Sequence, residues 1–85
     1  MNITRSDSFE NQYAKLPAHV RKKIDKQLFF LHQNSAYPSL RVKKMKGIDR
    51  FEARVDRSYR FTFTKTKDNL ILLSVGPHDE GLGKK

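Results

Sequence analysis

Residues 51–64 read FEARVDRSYRFTFT, the most informative pattern in the chain. Apolar and polar residues alternate along its two halves, which the polar link 56–58 separates. Side chains of a strand point alternately to opposite faces, so each half is predicted to be a strand with one apolar face. If the residues that flank the link pair with each other, Arg54 lies directly opposite Arg60. The stretch therefore predicts an antiparallel hairpin with one face for a core.

The polar face of this hairpin carries Glu52, Arg54, Arg60 and Thr62. Like charges directly opposite each other on a sheet are unfavourable. A guanidinium group matches the geometry of a phosphate, which can bridge two such groups. The opposed arginines therefore indicate a surface that binds an anion.

Two helices are predicted before the hairpin. Ser6 and its neighbours supply N-cap residues, and Phe9, Tyr13 and Leu16 recur at helical spacing. A longer amphipathic pattern runs from 17 to about 33, with Pro17 at its first helical position. These two segments predict an antiparallel helical hairpin.

The remaining segments predict further strands. Residues 40–43 alternate in polarity, and residues 70–75 form the continuous apolar run of a central strand. Ile3 and its neighbours could form a short first strand. The predicted fold is α+β, in a single domain over residues 1–85. Its N-terminal helical hairpin packs on one face of a mainly antiparallel, twisted sheet of about four strands.

Charge points to the class of partner. Eighteen Lys and Arg residues against nine Asp and Glu give a formal charge of +9 and a pI near 10.1. A small basic domain attracts polyanions, which predicts contact with nucleic acid or the ribosome. A lysine-rich surface that only maintains solubility is the alternative.

Other classes of protein are not favoured by the composition. The chain has no cysteine for a disulfide or a thiolate metal site, and its first residues are too polar for a signal peptide. No apolar run approaches the roughly 20 residues of a membrane span. His19 and His32 do not have the spacing of a helical metal site. A soluble cytoplasmic protein without membrane contact, metal or cofactor is expected.

The open sheet face carries a set of residues suited to cleaving a phosphodiester in RNA. Arginines can stabilise the charge that develops on the phosphate oxygens, and a histidine can protonate the leaving oxygen. The predicted catalytic residues are Arg60, His78, Arg54 and Glu52. The predicted RNA-binding residues are Arg41, Lys43, Lys44, Lys46 and Arg57.

Each assignment has a plainer alternative. Exposed sheet faces are normally charged, so Glu52 and Arg54 could be ordinary surface residues. Glu52 could act as the general base or only neutralise Arg54. His78 could be an ordinary loop histidine, and Tyr37, an aromatic in a loop, is left open as a ligand contact.

The ordered pattern along the chain resembles the RelE/ParE superfamily of toxins from type II toxin–antitoxin systems. The resemblance rests on stretches 15–24, 40–47, 51–55, 59–61 and 72–80. It implies a compact microbial ribonuclease-like fold. RelE-like members enter the ribosomal A site and cut mRNA, with basic residues and often a histidine or arginine after the last strand.

By position, Arg60 matches the arginine of the family's Tyr-Arg pair, and Arg54 matches a basic residue of the preceding strand. His78 matches the family's catalytic position after the last strand. The chain departs from the family in two respects. Its tail, residues 81–85, lacks the catalytic tyrosine of several members, and basic residues occupy the strand on which other members carry a carboxylate base. The identity of the base is therefore open.

The resemblance implies a cognate antitoxin, acidic where it docks, and a possible toxin–antitoxin hetero-oligomer, with mRNA and the ribosome as targets. Two other functions are compatible with the sequence. A ParE-like protein would inhibit DNA gyrase and would not need His78. A non-catalytic module would bind RNA or the ribosome with a steep salt dependence and leave mRNA uncut.

Overall fold

A computed structural model describes residues 2–77 as two helices on a five-stranded sheet. The elements are β1 (Asn2–Arg5), α1 (Asp7–Ala14), α2 (Ala18–Gln33), a 3₁₀ turn (Pro38–Leu40), β2 (Lys43–Lys44), β3 (Phe51–Arg54), β4 (Tyr59–Lys65) and β5 (Asn69–Pro77). The strand order is β1-β5-β4-β3-β2. No helix in this part of the chain is long and apolar enough to cross a membrane.

The α+β class and the helical hairpin are confirmed, but the sheet has five strands instead of about four. The fifth strand is β1, the short first strand suggested by Ile3, and it pairs in parallel with β5 from Asn2 opposite Asn69 to Arg5 opposite Leu72. All other neighbouring strands are antiparallel. A parallel pair between distant segments has no turn signal, so the pattern of residues 2–5 alone does not specify it.

Ser6 links β1 to α1 in the way its residue type predicts. Its Oγ accepts a hydrogen bond from the backbone N–H of Phe9 at 3.1 Å and donates one to the carbonyl of Leu73 at 3.2 Å. It therefore caps α1 and also fastens the helix to the edge of β5. Pro17 lies at the N-cap of α2, one position before the predicted place.

The core lies between the helices and one face of the sheet. Phe9 and the apolar stripe of α2 pack there against the inward residues of β3, β4 and β5. The fully buried residues include Phe9, Val20, Ile24, Leu31, Phe61, Phe63, Leu70 and Leu72. The apolar run of 70–75 therefore forms a strand flanked on both sides, as predicted.

The prediction of a strand from residue 40 is wrong. Pro38 begins a 3₁₀ turn, Leu40 inserts into the core with no exposed surface, and Arg41 adopts left-handed backbone angles with φ of 47°. Only Lys43 and Lys44 form the strand. Burial of Leu40 by tertiary packing thus outweighs the local alternation of polarity.

Candidate active site

The β3–β4 turn places the two central arginines opposite each other. The N–H of Val55 donates to the carbonyl of Tyr59 at 3.0 Å, which closes the hairpin in the predicted register. Arg54 is consequently the direct cross-strand partner of Arg60. The predicted juxtaposition of these guanidinium-bearing residues is confirmed.

Asp56 holds this turn in shape. Its Oδ1 accepts hydrogen bonds from the N–H groups of Ser58 and Tyr59 at 2.8 and 2.9 Å, and its Oδ2 lies 3.0 Å from Nζ of Lys23 on α2. Partial burial alone would raise the pKa of the Asp56 carboxyl. The hydrogen bond from Lys23 and those from the two backbone N–H groups outweigh burial, so this pKa lies below its ordinary value.

Gln27 of α2 fixes the other side of the hairpin. Its Nε2 donates to the carbonyl of Arg54 at 2.7 Å and to that of Ser39 at 3.2 Å. The side chain is buried, so it supplies donors where water has little access. Sequence reasoning missed this residue, although a glutamine seven positions after Val20 on an apolar helical stripe was a usable signal.

The opposed arginines lie at a cavity of about 350 Å³ on the sheet face away from the helices. We call it the arginine cavity; its lining residues are Arg41, Lys43, Glu52, Arg54 and Arg60. Four cationic side chains and one carboxylate give it a formal net charge of +3. The predicted open, basic face of the sheet is therefore present.

Glu52 is the buried member of this set. It is only 4% exposed, and its Oε1 lies 3.9 Å from Nζ of Lys43, its partner on β2. The carboxylate thus lies at the base of the cavity beneath long cationic side chains. This contact with Lys43 favours charge balance as its role, and no ion pair to Arg54 is present among residues 2–77.

Arg60 is anchored by the turn. Its Nη1 donates to the carbonyl of Asp56 at 2.7 Å and to that of Tyr59 at 3.1 Å. Within residues 2–77, its Nε and Nη2 and the whole guanidinium of Arg54 have no hydrogen-bond partner. A guanidinium carries five N–H donors, so the pair retains several for a ligand's oxygen atoms.

The other predicted RNA-binding residues lie outside the cavity. Lys44 pairs with Phe51, and strand alternation directs its side chain away from the face that carries Lys43. Lys46 and Arg57 are exposed, in the β2–β3 connection and the β3–β4 turn. His78 lies outside the described residues, and its predicted place beside the arginines is untested.

A polar row adjoins the arginine pair on the same face. The register aligns Lys43 with Glu52, Glu52 with Thr62, and Thr62 with Ser74. The hydroxyls of Thr62 and Ser74 are 2.6 Å apart and hydrogen-bonded. In the neighbouring row of the sheet, Arg60 pairs with Gly76. A Cβ atom added at Gly76 would meet nothing within 4 Å, so the space above the sheet extends beside Arg60.

This geometry suits a phosphodiester. Two guanidinium groups on adjacent strands can hold two phosphate oxygens, and the flanking cations of Arg41 and Lys43 can hold neighbouring phosphates. Residues 2–77 contain no cluster of three or more potential metal ligands.

Solved structures with similar folds include toxins and chains of toxin–antitoxin complexes. A YoeB/ParE toxin from Agrobacterium tumefaciens is 15% identical with a TM-score of 0.77, covering 92% of this chain and 99% of its own. A chain of the archaeal RelE–RelB complex from Pyrococcus horikoshii is 15% identical with a TM-score of 0.78, covering 93% and 96%. A chain of the RelB–RelE complex from Methanococcus jannaschii is 23% identical with a TM-score of 0.73, covering 94% and 95%.

No protein-family model and no curated protein matches the sequence. The structural matches cover 92–94% of this chain. The predicted resemblance is thus confirmed as a shared architecture. This chain has the fold of the RelE, ParE and YoeB toxins.

Proposed function

We propose that the chain is the toxin of a type II toxin–antitoxin system and cuts messenger RNA on the ribosome. The observation that carries the proposal is the direct opposition of Arg54 and Arg60 at an open, basic cavity. Bringing two like charges together without a ligand is unfavourable, and a bound phosphodiester relieves the repulsion. The toxin folds of the structural neighbours support the same function.

In the proposed reaction the 2′-hydroxyl of a ribose attacks the adjacent phosphorus, and the 5′-oxygen of the next nucleotide leaves. Arg54 and Arg60 stabilise the added negative charge on the phosphate oxygens. His78 is proposed to protonate the leaving oxygen. Glu52 is a candidate base, although its contact with Lys43 favours charge balance.

The proposed partners follow from charge and from the neighbours. RelE–RelB complexes are among the similar structures, so a cognate antitoxin is proposed for this chain. An acidic segment of that antitoxin would cover the arginine cavity. Lys44, Lys46 and Arg57 are proposed to contact RNA or ribosome phosphates around it.

Induced expression tests this function directly. Primer extension on translated mRNA should show new 5′ ends after induction of the wild type, and growth should stop. Arg60→Ala and Arg54→Ala should abolish the cuts and restore growth, because each removes one of the two guanidinium groups that bind the phosphate. Lys22→Ala, an equal charge change at an exposed position of α2, serves as the control and should remain toxic.

The rival functions give different results. Intact mRNA and continued translation with DNA damage and filamentation would favour a gyrase inhibitor. Binding to ribosomes without any new mRNA ends would favour the non-catalytic module. Full toxicity of both folded arginine variants would disprove the proposed site.

A further inference from the structure

A second cavity shares one lining residue, Arg41, with the arginine cavity. Its volume is about 380 Å³, and Tyr37, Arg41 and Lys65 are among its lining residues. We call it the tyrosine cavity. Arg41 lines both cavities, so one side chain joins the proposed phosphate site to its neighbour.

Tyr37 offers a braced aromatic surface in this cavity. The ring of Phe30 stacks on it with centroids 4.3 Å apart and planes 6° apart, and Phe29 packs edge-on against Phe30 at 5.9 Å. Tyr37 is nevertheless 37% exposed. Phe30 covers one face of the ring, so a ligand in the cavity would contact the exposed part of Tyr37. A ring held in this way loses little freedom when a flat ligand stacks on it.

The charge around the ring is positive. Nζ of Lys65 lies 3.4 Å from Oγ of Ser35 and 5.8 Å from the centroid of the Phe51 ring, which holds the ammonium group at the cavity. Arg41 supplies a second cation, and no acidic residue of the described chain lines the cavity. An aromatic surface between two cations matches a nucleotide, with a base to stack and a phosphate to neutralise.

The backbone of Arg41 supports a role for its side chain. Among residues 2–77 it is the only non-glycine residue with positive φ, at 47°. Residues with a Cβ adopt this conformation at a cost, and such strain concentrates at ligand sites. The turn hydrogen bond from the Arg41 N–H to the carbonyl of Pro38, at 3.2 Å, maintains the conformation.

We propose that the tyrosine cavity is a base-stacking subsite for the nucleotide next to the phosphate held by Arg54 and Arg60. The ligand is then single-stranded RNA, because a base within a duplex cannot leave its stack to lie on Tyr37. This inference rests on the proposed function, since it requires a phosphodiester in the arginine cavity. The subsite adds to the phosphate contacts one contact that depends on the base and not on charge.

Binding of uncleavable trinucleotides tests the subsite. The probes are uridine trinucleotides with 2′-O-methyl riboses, intact or with one abasic residue at each position in turn. Removing the base at one position should weaken binding to the wild type about five- to a hundredfold. Tyr37→Ala should weaken binding of the intact probe by a similar factor. This variant should bind the intact probe and the probe that lacks that base with the same affinity. Tyr37→Phe keeps the ring and should bind like the wild type.

The phosphate site is tested separately with the same probes. Arg54→Ala should weaken intact and abasic probes by the same factor. If Arg54→Ala binds like the wild type, the proposed phosphate site fails. If Arg54→Ala weakens binding but every abasic probe binds the wild type like the intact one, only the stacking subsite is overturned.

A protein ligand would give another pattern. If Tyr37→Ala binds every trinucleotide normally but loses affinity for an acidic model peptide, the cavity belongs to a protein partner and the proposal is wrong. Lys65→Gln gives a check that does not alter the ring. It should lower RNA affinity and reduce the slope of log K against log[salt] by about 0.7.

Discussion

Replacing Glu52 by glutamine separates the two roles that remain open for this carboxylate. Glutamine has nearly the same size, so the buried position beneath Lys43 stays filled. The change removes the only carboxylate of the arginine cavity within the described chain. The formal net charge of the cavity then rises from +3 to +4. Binding of RNA, a polyanion, should therefore become tighter.

The salt dependence gives the magnitude. For single strands, log K falls against log[salt] with a slope of about −0.7 for each phosphate neutralised. With one phosphate neutralised for each unit of net charge in the cavity, +3 predicts a slope of about −2.1 and +4 a slope of about −2.8. Between about 50 and about 200 mM salt, affinity should then fall about 20-fold for the wild type and about 50-fold for Glu52→Gln.

Fluorescence anisotropy with an uncleavable 2′-O-methyl uridine octanucleotide measures both slopes, because the phosphates of this probe outnumber the net charges of the cavity. The control is Glu10→Gln, which changes the total charge equally on helix α1 and should leave the slope unchanged. A Glu52→Gln variant with the wild-type slope would refute the charge-balance reasoning. The cleavage assay then decides the chemistry, because loss of mRNA cutting despite tighter binding would assign Glu52 as the base.

Three further predictions concern the scaffold of the site. Gln27→Met leaves the carbonyl of Arg54 without its side-chain donor and should lower the free energy of unfolding in urea by about 1–3 kcal/mol. The exposed control Gln33→Met should change this free energy by less than about 0.5 kcal/mol. Equal effects of the two substitutions would contradict the role of Gln27. Because the folded-state pKa of Asp56 is lowered, its charge stabilises the fold above its unfolded-state pKa of about 4, and this contribution is lost as pH falls through the folded-state value. The wild type should therefore be more stable than Asp56→Asn at pH 7 in urea unfolding, with a smaller difference near pH 3; a difference that does not change with pH would exclude the charge as its source. Arg41→Gly should be about 1 kcal/mol more stable than Arg41→Ala by thermal or urea unfolding, because glycine relieves the positive φ, whereas both should bind RNA weakly; equal stability would show that the strain is negligible.

Much of the site was predictable because its geometry is local. A period of two and a short link specify that Arg54 faces Arg60, since one residue of slip would expose the apolar face of the hairpin. Helical spacing likewise predicts which residues of α2 reach the core. Glu52 was placed on the correct face, but its burial depends on the side chains that surround it from β2 and β4.

Two features of the arginine cavity depend on contacts between distant parts of the chain. Gln27 reaches the carbonyl of Arg54 only after α2 has packed on the sheet. Arg41 was expected from sequence at an RNA-binding surface, but its left-handed backbone accompanies the burial of Leu40 in the core, which the strand-like alternation of residues 40–43 does not indicate. The local sequence pattern predicts neither of these two features.

By itself, the sequence determined the basic character of the protein, its two amphipathic helices and the opposed arginines. Each of these follows from residue type and from spacing over a few positions. The parallel pairing of β1 with β5 and the two cavities that share Arg41 arise only in the folded chain. The physical reason is that burial and strand pairing are set by the whole packed core, in which residues far apart in the chain compete for the same contacts.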